Sequence, residues 1–422
     1  MSELRLRRRL AGFLKKRLRE LHLDDVADAR DRRGRRWELR TLLEAMVIGL
    51  TAGAQGLGEV EEVTDTMTLQ MRHWLGIPRR IPDTTLRDAL LTIDPQLLRP
   101  ALHRAVRAAH RRKALGVEQV PFGVLSLDGK VITVPASDDW YAQRQTQDDD
   151  SVRGAVRTVT AVLTSSRARP CIDVMPIPAP TNEMGIFEAA FRQVVKVYGH
   201  LDLFRLVTYD AGACSAANAS AVRQQGYHYL LGVKANQPEL LREAQLWLGN
   251  RTDADAISED IERGYAVTRS VYLGQASTGP EGWEHVRTVL RVVSEKRDPH
   301  GRVIATEERY FVSSLPCSRL TGHQWLLVVR RHWGVETAHQ VLDTAFKEDD
   351  RPIIVENPRA TVVVATLRRI AYTLLTLFRS VTQRSDENRS MSWKRLIRSV
   401  LRTLTAADER TLAGLRRHAK VV

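Results

Sequence analysis

The run from His332 to Asp349 constrains this chain more than any other stretch. At about 3.6 residues per turn, Val335, His339, Leu342 and Phe346 form an apolar stripe, with Glu336, Gln340, Asp343 and Lys347 on a polar one beside it. The segment is therefore a helix laid on a core, with Glu336 held rigidly at its margin. A carboxylate so placed closes a metal site when two more acids arrive at strand ends. Upstream, Asp128 in Val-Leu-Ser-Leu-Asp-Gly-Lys and Asp210 in Leu-Phe-Arg-Leu-Val-Thr-Tyr-Asp-Ala supply them.

The rest of the chain divides by its periodicity. Residues 1–116 read as helical, a DNA-binding or dimerisation region. It opens on a basic amphipathic segment, Leu4 to Leu23, and includes a helix, turn and capped helix at Asp83-Thr84-Thr85-Leu86-Arg87 that places Thr85 and Arg87 early on a second helix. Residues 117–248 change to strands. Val124–Asp128 and Val131–Val134 are expected as two strands about a tight Asp-Gly turn, in which Asp128 makes the turn or carries chemistry. A polar loop at 138–153 follows, then strands, and a helix capped by Thr181-Asn182-Glu183. Leu203 to Tyr209 is an apolar run that delivers Asp210 into Ala211-Gly212-Ala213, the small-residue turn where open α/β sheets place ligands. Residues 249–319 form a strand-rich insertion, 320–380 complete the core with the glutamate helix, and 381–422 form a basic helical tail.

A net charge of +14 over 422 residues favours a polyanionic partner such as nucleic acid, the bland alternative being solubility alone. Three cysteines without CxxC spacing indicate neither a zinc knuckle nor a disulfide frame and fit a reducing cytoplasm. The N-terminal basic run lacks the apolar core of an export signal, and the apolar runs fall short of the ~20 residues that span a bilayer or are interrupted.

In-line displacement at a phosphodiester needs charge neutralisation that paired hard cations supply, and Mg²⁺ or Mn²⁺ selects carboxylate oxygens. Two strand acids and a helix acid in this order are consistent with an RNase H-like core. Leu127-Asp128-Gly129-Lys130, Thr181-Asn182-Glu183, Tyr209-Asp210-Ala211, Tyr229 through Gln237, and Arg331-His332-Trp333-Gly334-Val335-Glu336 through Asp349 together resemble the DDE transposases of bacterial insertion sequences, in the H-repeat-associated branch, from about Asp31 to about Phe378. The resemblance implies an α/β fold: a mixed sheet flanked by helices, RNase H-like, with a strand-rich insertion and helical N- and C-terminal regions. It also implies that Asp128, Asp210 and Glu336 are the catalytic and metal-binding acids. Asp128 and Asp210 would share one of two Mg²⁺ or Mn²⁺ ions, and Glu336 would help hold the second.

The sequence departs from such transposases around the glutamate. His332 and Asp343 stand where an arginine and a lysine are usual, so phosphate contacts are expected from Arg330, Arg331, His332 or Lys347. Lys130, Lys234 and Asn236 are further candidates to touch the cleaved strand. Trp333 is expected as packing rather than a base platform, and His339 as a core histidine. The expected activity is metal-dependent cleavage of double-stranded DNA at element ends and transfer to target DNA, by a homodimer or larger assembly in the bacterial cytoplasm or nucleoid. A catalytically inactive DNA-binding descendant is the alternative, and a nuclease without strand transfer would use the same site.

Overall fold

A computed structural model describes residues 3–418 apart from 147–149, 263, 278 and 384–388. Among these residues ten strands join in one sheet: β1 (Val124–Pro135), β2 (Ala142–Thr146), β3 (Val152–Leu163), β4 (Cys171–Pro176), β5 (Leu206–Tyr209), β6 (His228–Val233), β7 (Ala256–Glu262), β8 (Tyr265–Gln275), β9 (Thr288–Arg297) and β10 (Val303–Ser313). The strand β1 is central. It runs antiparallel to β3 and parallel to β5, and β5 is parallel to β6. With β4 on the far side of β3, the order β4-β3-β1-β5-β6 is the RNase H-like arrangement.

The expected Asp-Gly hairpin does not exist. A two-residue hairpin turn of that kind needs left-handed backbone, which neither Asp128 nor Gly129 adopts. Instead β1 continues straight through both residues, because its two halves pair with the same strand, from Leu125↔Leu163 to Pro135↔Arg153. Asp128 is thereby a mid-sheet residue. The polar stretch at 138–153 is also not all loop, since β2 pairs along β3 from Ala142↔Val156 to Thr146↔Val152; residues 147–149 of that loop lie outside the described residues. The insertion strands extend the main sheet: β10 pairs antiparallel with β6 and so satisfies an edge that would otherwise be open.

Helices cover both faces. On one, α7 (Glu183–Tyr198) brings Phe187 edge-on to Tyr209, with ring centroids 5.3 Å apart. The next helices in sequence are α8 (Ala216–Gln224) and α9 (Pro238–Leu248). On the other face lies α10 (Gly322–Thr344), which starts at a capping box of Thr321 and Gln324, worth about 1 kcal/mol, and buries Trp325, Val328, Val335, Ala338 and Leu342. Beside it α11 (Pro358–Leu377) packs directly on the sheet, with Thr373 Oγ1 donating to Cys171 O of β4 at 2.8 Å. Among the described residues only Pro358–Thr382 is long and apolar enough to cross a membrane by length and composition, and its apolar window is wholly buried.

The two chain ends build one helical body. Helices α1 (Glu3–Leu21), α2 (Leu39–Thr51), α3 (Leu57–Thr66), α4 (Leu69–Leu75), α5 (Asp83–Thr92) and α6 (Pro95–Arg111) share a core with α12 (Trp393–Ala406) and α13 (Glu409–His418). Phe13 meets Phe378 at 5.1 Å between ring centroids, and Thr68 Oγ1 donates to Ala407 O at 2.8 Å. A buried cluster ties this body to the sheet: Asp173 of β4 accepts from Arg99 of α6 at 2.7 Å and lies 2.9 Å from His103 Nε2. In the expected helix-turn-helix, α5 begins directly after Pro82, Asp83 Oδ1 accepts from Thr84 N, and Arg87 is paired with Glu356.

Candidate active site

The geometry starts from strand register. Ser126 of β1 lies opposite Thr208 of β5 in parallel pairing. Asp128 and Asp210 are each two residues further on, so they point to the same face at the same level. Beneath them runs a buried chain of hydroxyls. Thr208 Oγ1 donates to Ser126 Oγ at 2.8 Å, Ser126 meets Thr164 Oγ1 at 2.8 Å, and His332 Nδ1 lies 3.0 Å from Thr208 Oγ1. Since Thr208 gives its proton to Ser126, the consistent tautomer of His332 donates from Nδ1. Burial holds the His332 pKa below the ordinary histidine value, which keeps the ring neutral. This chain sets the spacing between β1, β5 and α10.

Along α10, His332, Glu336, His339 and Asp343 fall on one face and track the even-numbered residues of β1. His339 Nδ1 lies 3.1 Å from Asp128 Oδ2. Asp210, at the end of β5, accepts from Gly212 N at 2.8 Å through Oδ1, which fixes its rotamer. Burial, Asp128 and Asp210 push the Glu336 carboxyl above the usual range, against the pull of Arg309 and His339. Glu183, from the opposite face, is pushed up by burial, then by Asp128 and Asp210, with Arg157 opposing. Glu183 and Glu336 thus each feel the charges of Asp128 and Asp210, the donor chemistry that a hard divalent cation relieves. As the side chains are placed, no three His, Cys, Asp or Glu groups among the described residues converge closely enough to hold an ion.

A cavity of about 460 Å³ opens beside the acids, lined by Asp210, Lys234, Arg309, His332, Trp333 and Glu336. Trp333 forms a half-buried wall between two guanidinium groups, Arg309 at 5.0 Å and Arg269 at 5.7 Å from its ring centroid.

The other candidates separate by burial. Lys234 and Asn236 are exposed at the cavity side of the turn, and Asn236 Nδ2 donates to Ala211 O at 2.7 Å, which braces the backbone after Asp210. Arg330 pairs with Asp260 of β7 at 2.7 Å, and Lys347 with Asp350 at 2.9 Å. Lys130, only 7% exposed, is clamped by Asp343 at 2.7 Å and Asp349 at 2.8 Å. Arg331 is buried with its guanidinium on Glu118 O and Gln119 Oε1, and His332 is buried in the hydroxyl chain. The structure brings Lys234 to the open side of the acids, leaves His332 in the cavity wall with its Nδ1 held by Thr208, and does not bring Lys130 or Arg331 there. Arg309 and Glu183 were not singled out from sequence. Arg309 carries no motif, and Glu183 was accounted for by its helix cap.

A sequence profile described as "Transposase DDE domain" matches residues 121–374, and one described as "DDE_Tnp_1-associated" matches residues 21–105. The chain is similar to the H repeat-associated putative transposase YhhI of Escherichia coli K12, 22% identical over 374 residues covering 84% of this chain and 89% of that protein. It is likewise 22% identical to the putative transposase YncI of Escherichia coli O157:H7 over 371 residues, covering 84% and 86%. Among solved structures, the piggyBac transposase synaptic complex with hairpin DNA superposes with a TM-score of 0.45 at 13% identity, covering 100% of this chain and 82% of that one.

Proposed function

Because this chain belongs to the family defined by the transposase DDE domain, we propose that it binds the ends of an insertion sequence and catalyses divalent-metal-dependent DNA strand cleavage and strand transfer. The observation that carries this is the register: Asp128 and Asp210 side by side on parallel β1 and β5, under a helix that presents Glu336. An inert DNA-binding descendant has no need of three acids kept in mutual register.

Bound Mg²⁺ or Mn²⁺ would activate the attacking oxygen and offset charge on the leaving one, and Asp128, Asp210 and Glu336 are the groups to hold two such ions. The chain's own residues do the positioning. Gly212 N–H and His339 each orient one carboxylate, so the reorganisation needed at the moment of reaction is small. Lys234 presents an exposed charge at the side where a cleaved strand's phosphates would pass, and Arg309, paired with Glu307 at 2.6 Å, lines the same cavity. Cutting and joining two ends calls for at least a dimer on the DNA.

The test is cleavage of labelled DNA carrying the element's flanking ends, with Mg²⁺, with Mn²⁺ and with EDTA. Metal-dependent nicking at the ends is the expected result. End binding without nicking under either metal would overturn the enzymatic reading. In the same system Lys234→Ala is expected to weaken binding evenly across sequences and to reduce the slope of log affinity against log salt by about 1. Measuring affinity at several salt concentrations checks this.

A further inference from the structure

Glu183 enters the site from the side of the sheet that faces away from α10. It is the first residue of α7, whose N-terminus is held by Asn182 Oδ1 accepting from Gly185 N at 3.0 Å. Its carboxylate occupies the space a side chain at position 129 would fill: a Cβ built on Gly129 would lie 1.9 Å from Glu183 Oε1 and 2.1 Å from its Cδ. Gly129 follows Asp128 directly, and successive residues of a strand face opposite ways. A glycine there leaves the α7 side of β1 bare next to Asp128, and the Glu183 carboxylate fills that space. No ion pair or hydrogen bond offsets the Glu183 carboxylate among the described residues, although Asp128 and Asp210 act on it from the other side.

The geometry points to Glu183 as a fourth acid of the metal site, its carboxylate lying against the β1 backbone one residue past Asp128 and sharing the cation that Asp128 and Asp210 would hold. This rests on the transposase reading above and deepens it. A glutamate at a helix N-terminus has an ordinary use, because the helix dipole favours it by about 0.3–1 kcal/mol. The two roles predict opposite signs. A dipole-stabilising glutamate makes the metal-free protein less stable when neutralised. A carboxylate held in a cluster of like charges makes it more stable when neutralised, and weaker in metal binding.

The experiment uses the full chain without DNA and measures Mn²⁺ affinity by titration calorimetry or electron paramagnetic resonance, with Tm recorded in EDTA and in Mg²⁺. Glu183→Gln is expected to weaken Mn²⁺ binding at least about tenfold and to shrink the Mg²⁺-induced rise in Tm. Its Tm in EDTA is expected to stay at or above that of the wild type. Gly129→Ala, which displaces the Glu183 side chain while leaving the acid in place, is expected to weaken Mn²⁺ binding in the same direction, and it serves if Glu183→Gln does not fold. Wild-type Mn²⁺ affinity in both variants, with affinity lost in Asp210→Ala, would overturn the role of Glu183 and leave the transposase reading intact. Wild-type affinity in Asp210→Ala as well would overturn both.

Discussion

Asp210→Ala is expected to lower metal-dependent strand cleavage by at least about 10³-fold, while binding to element ends stays within a few-fold of wild type. The size follows from the position. Asp210 ends β5 beside Asp128 and faces Glu336, so its loss removes an oxygen donor from the place where the carboxylates are gathered. Lewis-acid stabilisation of a phosphoryl transfer is worth several kcal/mol, and about 4 kcal/mol corresponds to 10³ in rate. The structural cost is small by comparison. Asp210 caps a single short turn through Gly212 N, a contact worth about 1 kcal/mol, and the hydroxyl chain of Ser126, Thr208 and His332 that spaces the strands is untouched. Single-turnover cleavage, read beside an end-binding assay and a melting curve, separates these effects. Cleavage within tenfold of wild type would sink the assignment of Asp210 to the chemistry.

The sequence made each of these acids visible for the same reason: each sits against a strongly patterned apolar run. Leu206–Tyr209 could only be a buried strand, and the stripe of Val335 and Leu342 could only be a core-facing helix, although that helix ends at Thr344, short of the expected Phe346. What was illegible depended on partners far away in the chain. Asp-Gly is a local turn signal, and only the pairing of β1 with β3 through eleven consecutive positions overrides it. Lys130 looks like a surface lysine until Asp343 and Asp349, more than two hundred residues later, close over it. Strand β7 has no buried-strand signal in the sequence because it is an exposed edge: Ile257 and Ile261 face solvent and Ser258 and Asp260 are half-buried, so its pattern is opposite to that of a buried strand. The fourth acid was hidden by sufficiency, since Asn182 and Glu183 already explain a helix start.

Glu348 gives the largest expected effect on stability, and it bears on the site through α10. That helix is fixed at its start by the Thr321 capping box and just beyond its end by Glu348, whose carboxylate pairs with Arg369 of α11 and whose N–H donates to Leu342 O at 3.0 Å. Both side chains of the pair are 0% exposed. Glu348→Ala would leave the Arg369 guanidinium buried with one backbone partner, Ala365 O at 3.1 Å, and breaking a buried pair from one side costs about 3–5 kcal/mol. Chemical denaturation should show a large drop in midpoint with little change in slope. Replacing both residues by apolar groups of similar size, Glu348→Leu with Arg369→Met, is expected to recover most of that loss, because the cost lies in the stranded charge rather than in the missing attraction. Lys130, held by Asp349 one residue further on, should loosen with the single variant and be retained with the double one. A single variant as stable as wild type would show that Arg369 finds other compensation and that α10 is not anchored here.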